Sequence, residues 1–142
     1  MASALVKDEI ESPIAAVWAC FADFGDLSKW VPGSPRVELE GAGDRVGAVR
    51  KVHGQGGTPI CERLETYDTA AKTFSYAIVD SPFPFTDYVA TVKLKEVGPG
   101  STAIEWSSVF APRGLSAERA TEVIEGTYRM FIGRLKESLA TA

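Results

Sequence analysis

The last third of the chain carries an apolar stripe at helical spacing. Val123, Thr127, Tyr128, Phe131, Leu135 and Leu139 recur over about five turns. Ahead of it, alternating apolar and polar residues predict strands near 36–40, 46–53, 58–67, 73–79, 86–97 and 101–110. Gly41-Ala42-Gly43-Asp44, Gly54 with Gly56-Gly57, Asp68-Thr69, Pro82 with Pro84 and Gly98-Pro99-Gly100 punctuate these segments, as turn residues do. Leu5 to Glu11 also alternates and reads as a first strand. Ser12-Pro13 marks a helix start, a hydroxyl able to cap followed by proline at the first helical position. Ile14, Val17, Trp18 and Phe21 give that helix one apolar face, and a second short helix is predicted from Leu27 to Trp30. Ser116 is the predicted cap of the closing helix, which runs to about Ala140 with Glu118 in its first turn. Gly126 and Gly133 each cost that helix roughly 1 kcal/mol against alanine. Close packing or room for a ligand would explain them.

The resulting order, β-α-α-β6-α with short loops, lets the strands join as an antiparallel meander. Their apolar faces need a long partner, and the closing helix is the candidate. A curved sheet wrapped around one helix leaves a hollow suited to a small apolar molecule. Alternation names the inner face: Ile60, Glu62, Leu64 and Thr66, then Phe74, Tyr76 and Ile78, then Tyr88, Ala90, Val92 and Leu94. In 46–53 the set Ala48, Arg50 and Val52 alternates indecisively with Val49, Lys51 and His53. The helix adds Val123, Thr127, Tyr128 and Phe131. Trp18, Phe21 and Trp30 are read as core between the short helices and the sheet.

At 142 residues the chain is expected to form one domain, 1–142, with a core that needs no covalent staples. A formal charge of −4 without basic clusters argues against nucleic acid and against an anionic membrane surface. Neither a signal pattern nor a membrane-length apolar run is present, so cytoplasmic residence without membrane insertion is the expectation. Cys20, Cys61 and the single His53 lie too far apart for a zinc site, and reduced thiols and no metal are expected. His53 enters a glycine-rich turn, where a histidine is either solvated or in contact with a ligand at the cavity mouth.

The stretch Asp23-Phe24-Gly25-Asp26-Leu27 with Lys29-Trp30-Val31-Pro32-Gly33 resembles the signature of bacterial polyketide cyclase/dehydrase-like proteins. These belong to the START-like (SRPBCC) superfamily, with the birch pollen allergen and the plant abscisic-acid receptors. Gly47-Ala48-Val49-Arg50, Glu62-Arg63-Leu64-Glu65 with Asp68, Tyr76-Ala77-Ile78, Pro84 leading to Tyr88-Val89-Ala90-Thr91, and Glu105-Trp106 extend the likeness over roughly 5–140. The resemblance implies an α+β helix-grip fold: seven antiparallel strands curled around the C-terminal helix, with a cavity between. It also implies a small hydrophobic or aromatic, lipid- or polyketide-like ligand and no cofactor. On strand 101–110 apolarity places Ile104 and Trp106 inside, whereas the likeness to the hormone receptors places Glu105 and Ser107 on the pocket wall. The second placement is adopted. The same likeness makes Arg36 the counterpart of the lysine that meets the hormone's carboxylate. It assigns the gate to His53-Gly54-Gln55-Gly56-Gly57-Thr58-Pro59 and the latch to Ser81-Pro82-Phe83-Pro84-Phe85. The gate is shorter and the latch more apolar than in the receptors, which argues against abscisic acid itself.

The candidate ligand set is therefore Arg36, Arg50, Val52, Glu62, Leu64, Tyr76, Ile78, Phe83, Phe85, Tyr88, Ala90, Glu105, Ser107, Val123, Thr127, Tyr128 and Phe131. Phe83 and Phe85, between prolines, form either a stiff apolar rim or ordinary loop packing. Glu62 carries the sharpest chemistry. A carboxylate desolvated on an apolar wall suits proton transfer, and with Tyr88 it could enolise or dehydrate a polyketide-like substrate. The alternative is a Glu–Arg pair that satisfies buried polar groups. Three functions are compatible with these residues: a carrier of an apolar ligand, a cofactor-independent cyclase or dehydratase, and a protein-interaction module. A monomer or weak homodimer is expected.

Overall fold

A computed structural model describes residues 1–33, 35–54 and 57–140. Seven strands and two helices follow in the order β1 (Ala2–Ile10), α1 (Ile14–Ala19), β2 (Arg36–Glu40), β3 (Val49–His53), β4 (Ile60–Asp68), β5 (Thr73–Asp80), β6 (Phe85–Gly98), β7 (Ser101–Pro112) and α2 (Ala117–Ala140). All pairings are antiparallel, in the spatial order β1-β7-β6-β5-β4-β3-β2. The hairpin meander from β2 to β7 is thus closed by β1, which returns from the far end of the chain to pair with β7. This is the expected curved α+β helix-grip arrangement. Gln55 and Gly56 of the expected gate fall outside the described residues.

Helix α2 lies across one face of the sheet and along the free edge of β1. Ala120, Ile124, Tyr128, Ile132 and Leu135 are its buried residues. The expected stripe is therefore rotated: Val123 is 45% exposed, and the i, i+4 ladder through Ile124 and Ile132 carries the packing. Leu5 N–H on the β1 edge donates to Glu125 Oε2 at 3.0 Å, and Thr121 Oγ1 donates to the Ser3 carbonyl at 3.0 Å. Lys136 Nζ meets Asp8 Oδ2 at 2.9 Å farther along. An edge strand covered in this way presents fewer unpaired backbone groups to another chain. Ser116 caps α2 as expected, its Oγ accepting Arg119 N–H at 3.1 Å. A Cβ added at Gly126 or Gly133 would meet nothing within 4 Å. Neither close packing nor the cavity accounts for these two glycines, and nothing in the structure explains them.

Three local expectations are corrected. Pro13, not Ser12, is the cap residue of α1, and its ring offers no side-chain acceptor. The second short helix is a hydrogen-bonded turn, in which Trp30 and Val31 N–H groups both donate to the Leu27 carbonyl. Thr66 faces outward because a bulge between Leu64 and Thr66 slips the β4–β5 register by one residue. Tyr67 takes the inner position opposite Phe74, and its hydroxyl donates to the Ala22 carbonyl at 2.9 Å.

Between sheet and α1 the core is aromatic. Phe21 packs against Trp30, Phe74 and Trp106 with ring centroids 5.4–5.7 Å apart. Trp106 is fully buried and stacks on Tyr128 of α2 at 5.2 Å, so it joins the helix to the sheet. Truncating such a residue to alanine costs about 3–5 kcal/mol in comparable cores.

Candidate ligand cavity

A hollow of about 190 Å³ remains where β4, β5 and β6 face α2. Its wall is formed by Ile60, Glu62, Tyr76, Ile78, Phe83, Pro84, Phe85 and Tyr88 from the sheet side. Leu115, Ala120, Val123, Ile124, Thr127, Tyr128 and Phe131 close the other side. Several waters would fit in such a volume, at about 30 Å³ each in the liquid, so the interior is not fully interlocked there.

Its polar edge is built by cross-strand register. Arg50 on β3 and Glu62 on β4 are direct partners, and Arg50 Nε donates to Glu62 Oε1 at 2.7 Å. The arginine side chain is only 2% exposed and the glutamate 14%. The guanidinium lies over the Phe24 ring, Cζ 3.9 Å from its centroid, with Tyr76 at 5.0 Å and Trp30 at 5.5 Å. A desolvated cation over aromatic faces gains roughly 2 kcal/mol from each favourable contact, which offsets part of its burial. Nη1 donates to the Phe24 carbonyl at 3.0 Å, while Nη2 is buried without a hydrogen-bond partner among the described residues.

The Asp23-Phe24-Gly25 segment supplies both ring and carbonyl. It is held in place by Phe24 N–H donating to the Gly43 carbonyl at 2.9 Å and Gly25 N–H donating to Asp23 Oδ1 at 2.9 Å. A Cβ at Gly43 would come within 2.1 Å of Asp23 Oδ1 and 3.2 Å of the Phe24 nitrogen, so a larger residue there would push the Asp23 carboxylate off Gly25 N–H. The segment that carries the family likeness is thus a platform for the buried arginine.

Three tyrosines face the same space. Tyr88 and Tyr128 hydroxyls hydrogen-bond each other across the hollow, and Tyr76 accepts the Trp106 Nε1–H at 3.3 Å. Burial raises the Tyr76 phenol well above its usual range, with Tyr128 and then Glu62 adding to it. Burial does the same to Tyr88, helped by Tyr76. Tyr128 is pushed up to about 12, again chiefly by burial. All three are neutral hydrogen-bonding groups at neutral pH. Tyr88 continues the inward series of Ala90, Val92 and Leu94. A register shift between Thr86 and Val89, where Asp87 adopts φ 54°, adds one residue to the strand and so brings Phe85 onto the same wall.

From Tyr88 an aromatic run leads to the surface. Phe85 lies 5.4 Å from Tyr88 and Phe83 5.4 Å from Phe85, centroid to centroid. Phe83 is 40% and Leu115 37% exposed, so both stand at the mouth as well as on the wall. Arg113 N–H donates to the Pro84 carbonyl at 2.7 Å and ties the two rim segments together. Phe83 and Phe85 thus lie stacked along the mouth of the hollow, with Phe83 on its exposed side.

Of the expected ligand residues, Glu62, Tyr76, Ile78, Phe83, Phe85, Tyr88, Val123, Thr127, Tyr128 and Phe131 line the hollow. Arg50 stands behind Glu62 and does not. Val52, Leu64 and Ala90 point inward but are buried core, away from the wall. Arg36 is corrected to an exposed position, paired with Glu38 at 2.8 Å. His53 Nε2 approaches the same Glu38 at 3.3 Å, on the sheet margin rather than at the cavity.

Glu105 and Ser107 are corrected as well. Trp106 is fully buried and Ile104 nearly so, and alternation then turns Glu105 to the outer face, where Lys7 meets it at 3.4 Å. Ser107 lies on that outer face beside Leu5, Val89 and Thr91. The apolarity of the strand was the correct guide. Ile60, Pro84, Leu115, Ala120 and Ile124 were not among the expected ligand residues. Ile60 shares the Glu62 face, and Ala120 and Ile124 continue the helix ladder to Tyr128, so both signals were present. Pro84 and Leu115 come from loops that carry no periodicity.

Cys20 and Cys61 are free thiols. Among the described residues no three His, Cys, Asp or Glu side chains converge, and no helix is long and apolar enough to cross a membrane.

The family described as "Polyketide cyclase / dehydrase and lipid transport" matches residues 1–140. Among solved structures, the protein XoxI from Bacillus cereus is 30% identical, with a TM-score of 0.87 over 97% of this chain and 95% of that one. An uncharacterized protein from Bacillus thuringiensis is 29% identical, with a TM-score of 0.86 over 96% and 98%. A Thermobifida fusca protein solved by solution NMR is 26% identical, with a TM-score of 0.86 over 96% and 92%.

Proposed function

The chain belongs to the polyketide cyclase / dehydrase and lipid transport family, and on that premise we propose that it binds a small apolar or aromatic molecule in the hollow between β4–β6 and α2. The observation that carries the reading is an apolar chamber with a single ion pair at its edge and an exposed aromatic rim leading into it. Apolar walls supply affinity, and a few placed polar groups supply orientation. An engineered apolar cavity of about 150 Å³ takes benzene, so a chamber of this size suits a single ring unless the Phe83 rim yields.

A thermal-unfolding series in rising p-xylene tests the reading. Occupied protein should gain stability with ligand concentration. A melting temperature indifferent to p-xylene and to other single-ring compounds would count against it.

Catalysis is the second reading, favoured by one observation: Glu62 and three tyrosine hydroxyls share the chamber. Arg50 stands against Glu62 at 2.7 Å, which favours the ion-pair role over that of a base. Turnover of a polyketide-like substrate that survived Glu62→Gln would remove Glu62 as its base.

A further inference from the structure

We propose that the cavity selects a neutral single-ring molecule carrying a hydroxyl group, whose O–H donates to the free Oε2 of Glu62; this rests on the reading of the hollow as a binding site. Glu62 Oε1 is taken by Arg50 Nε, and Oε2 carries no hydrogen bond among the described residues. A carboxylate held in an ion pair only accepts. A guest that displaces water from the chamber must donate to that oxygen or leave it desolvated, and sites of this kind discriminate strongly against analogues lacking the donor. Tyr76 supplies the complementary half. Its oxygen already accepts the Trp106 N–H at 3.3 Å, and its own proton has no partner among the described residues. A hydroxyl can donate to Glu62 and accept from Tyr76, which an ether, a ketone or a hydrocarbon cannot do together.

Charge excludes the other candidates. Glu62 and Arg50 sum to zero, so an ionic guest would lose its hydration with no counter-charge left to meet it. A ligand carboxylate would face Glu62, and the unpaired Arg50 Nη2 is enclosed by Phe24, Trp30 and Tyr76 rather than presented to the chamber. A ligand ammonium would share Glu62 with a guanidinium already 2.7 Å away.

Isothermal titration of the wild-type protein at pH 7 with p-cresol, its isostere p-xylene, 4-methylbenzoate and 4-methylbenzylamine tests this. p-Cresol should bind at least about tenfold more tightly than each of the others, the size expected when a hydrogen bond to a charged group is lost. Equal or tighter binding of p-xylene, or of either ion, would overturn the assignment while leaving the cavity a binding site. Binding of none of the four would defeat the binding-site reading and this one with it. In Arg50→Met/Glu62→Leu, checked for folding by circular dichroism, the preference for p-cresol over p-xylene should vanish. Its persistence would also overturn the assignment. Should that variant not fold, the wild-type series decides alone.

Discussion

Arg50 and Glu62 are register partners on β3 and β4, joined at 2.7 Å with the arginine all but sealed from solvent. Removing Glu62 would strand the arginine's charge where almost no solvent reaches it. Glu62→Leu is therefore expected to destabilise the protein by about 3–5 kcal/mol. Arg50→Met/Glu62→Leu, which removes both charges at similar volume, should cost far less. Urea unfolding of the two variants compares them directly. A single variant no worse than the double would mean that the pair is not an electrostatic unit.

Tyr88 and Tyr128 satisfy each other inside the chamber. Tyr128→Phe leaves the Tyr88 hydroxyl buried without that partner and should cost about 1–3 kcal/mol. Tyr88→Phe/Tyr128→Phe should cost less than the two single changes added, by at least about 0.5 kcal/mol. Strict additivity in a chemical-denaturation cycle would show that the two hydroxyls do not depend on one another.

The same tyrosines set an alkaline limit. The folded-state value of Tyr128 is about 12 against an ordinary 10.0, and Tyr76 and Tyr88 are raised as well. Between these values the unfolded chain releases protons that the folded chain keeps. Stability is thus complete below pH 10 and is lost as pH rises through 12, by up to about 1.4 kcal/mol per pH unit for each group involved. Urea midpoints should stay level from pH 9 to about 10 and fall from there to pH 12. A midpoint constant to pH 12 would contradict the burial of these phenols.

Gly126 sits on the exposed side of α2 with open space where a Cβ would go. Gly126→Ala should stabilise the protein by roughly 1 kcal/mol through helix propensity alone. An unchanged or lower melting temperature would show a constraint on that helix beyond its backbone.

The sequence made the architecture legible because each strand has a period of two and each helix a period near 3.6. Tyr88, Ala90, Val92 and Leu94 all proved buried, and Phe74 and Tyr76 with them. Bulges are what the period cannot reveal. One beyond Leu64 exchanged Thr66 for Tyr67, and another at Asp87 brings Phe85 onto the Tyr88 wall. On β7 a likeness to distant hormone receptors overrode the apolar pattern and misplaced Glu105 and Ser107, although a fully buried Trp106 leaves its neighbours no inner face. Arg50 was indecisive for a different reason. Its burial depends on Phe24, 26 residues away in sequence, whose ring and carbonyl receive it. Such a partner carries no local signal.

Diffraction from crystals held under xenon pressure tests most directly whether β4–β6 and α2 enclose a space that a guest can enter. Xenon settles in dry apolar cavities of about this size. A xenon peak among Tyr76, Tyr88, Ile124 and Tyr128 is the expected result. Interlocked side-chain density there, with no xenon bound, would contradict the cavity and every ligand reading built on it.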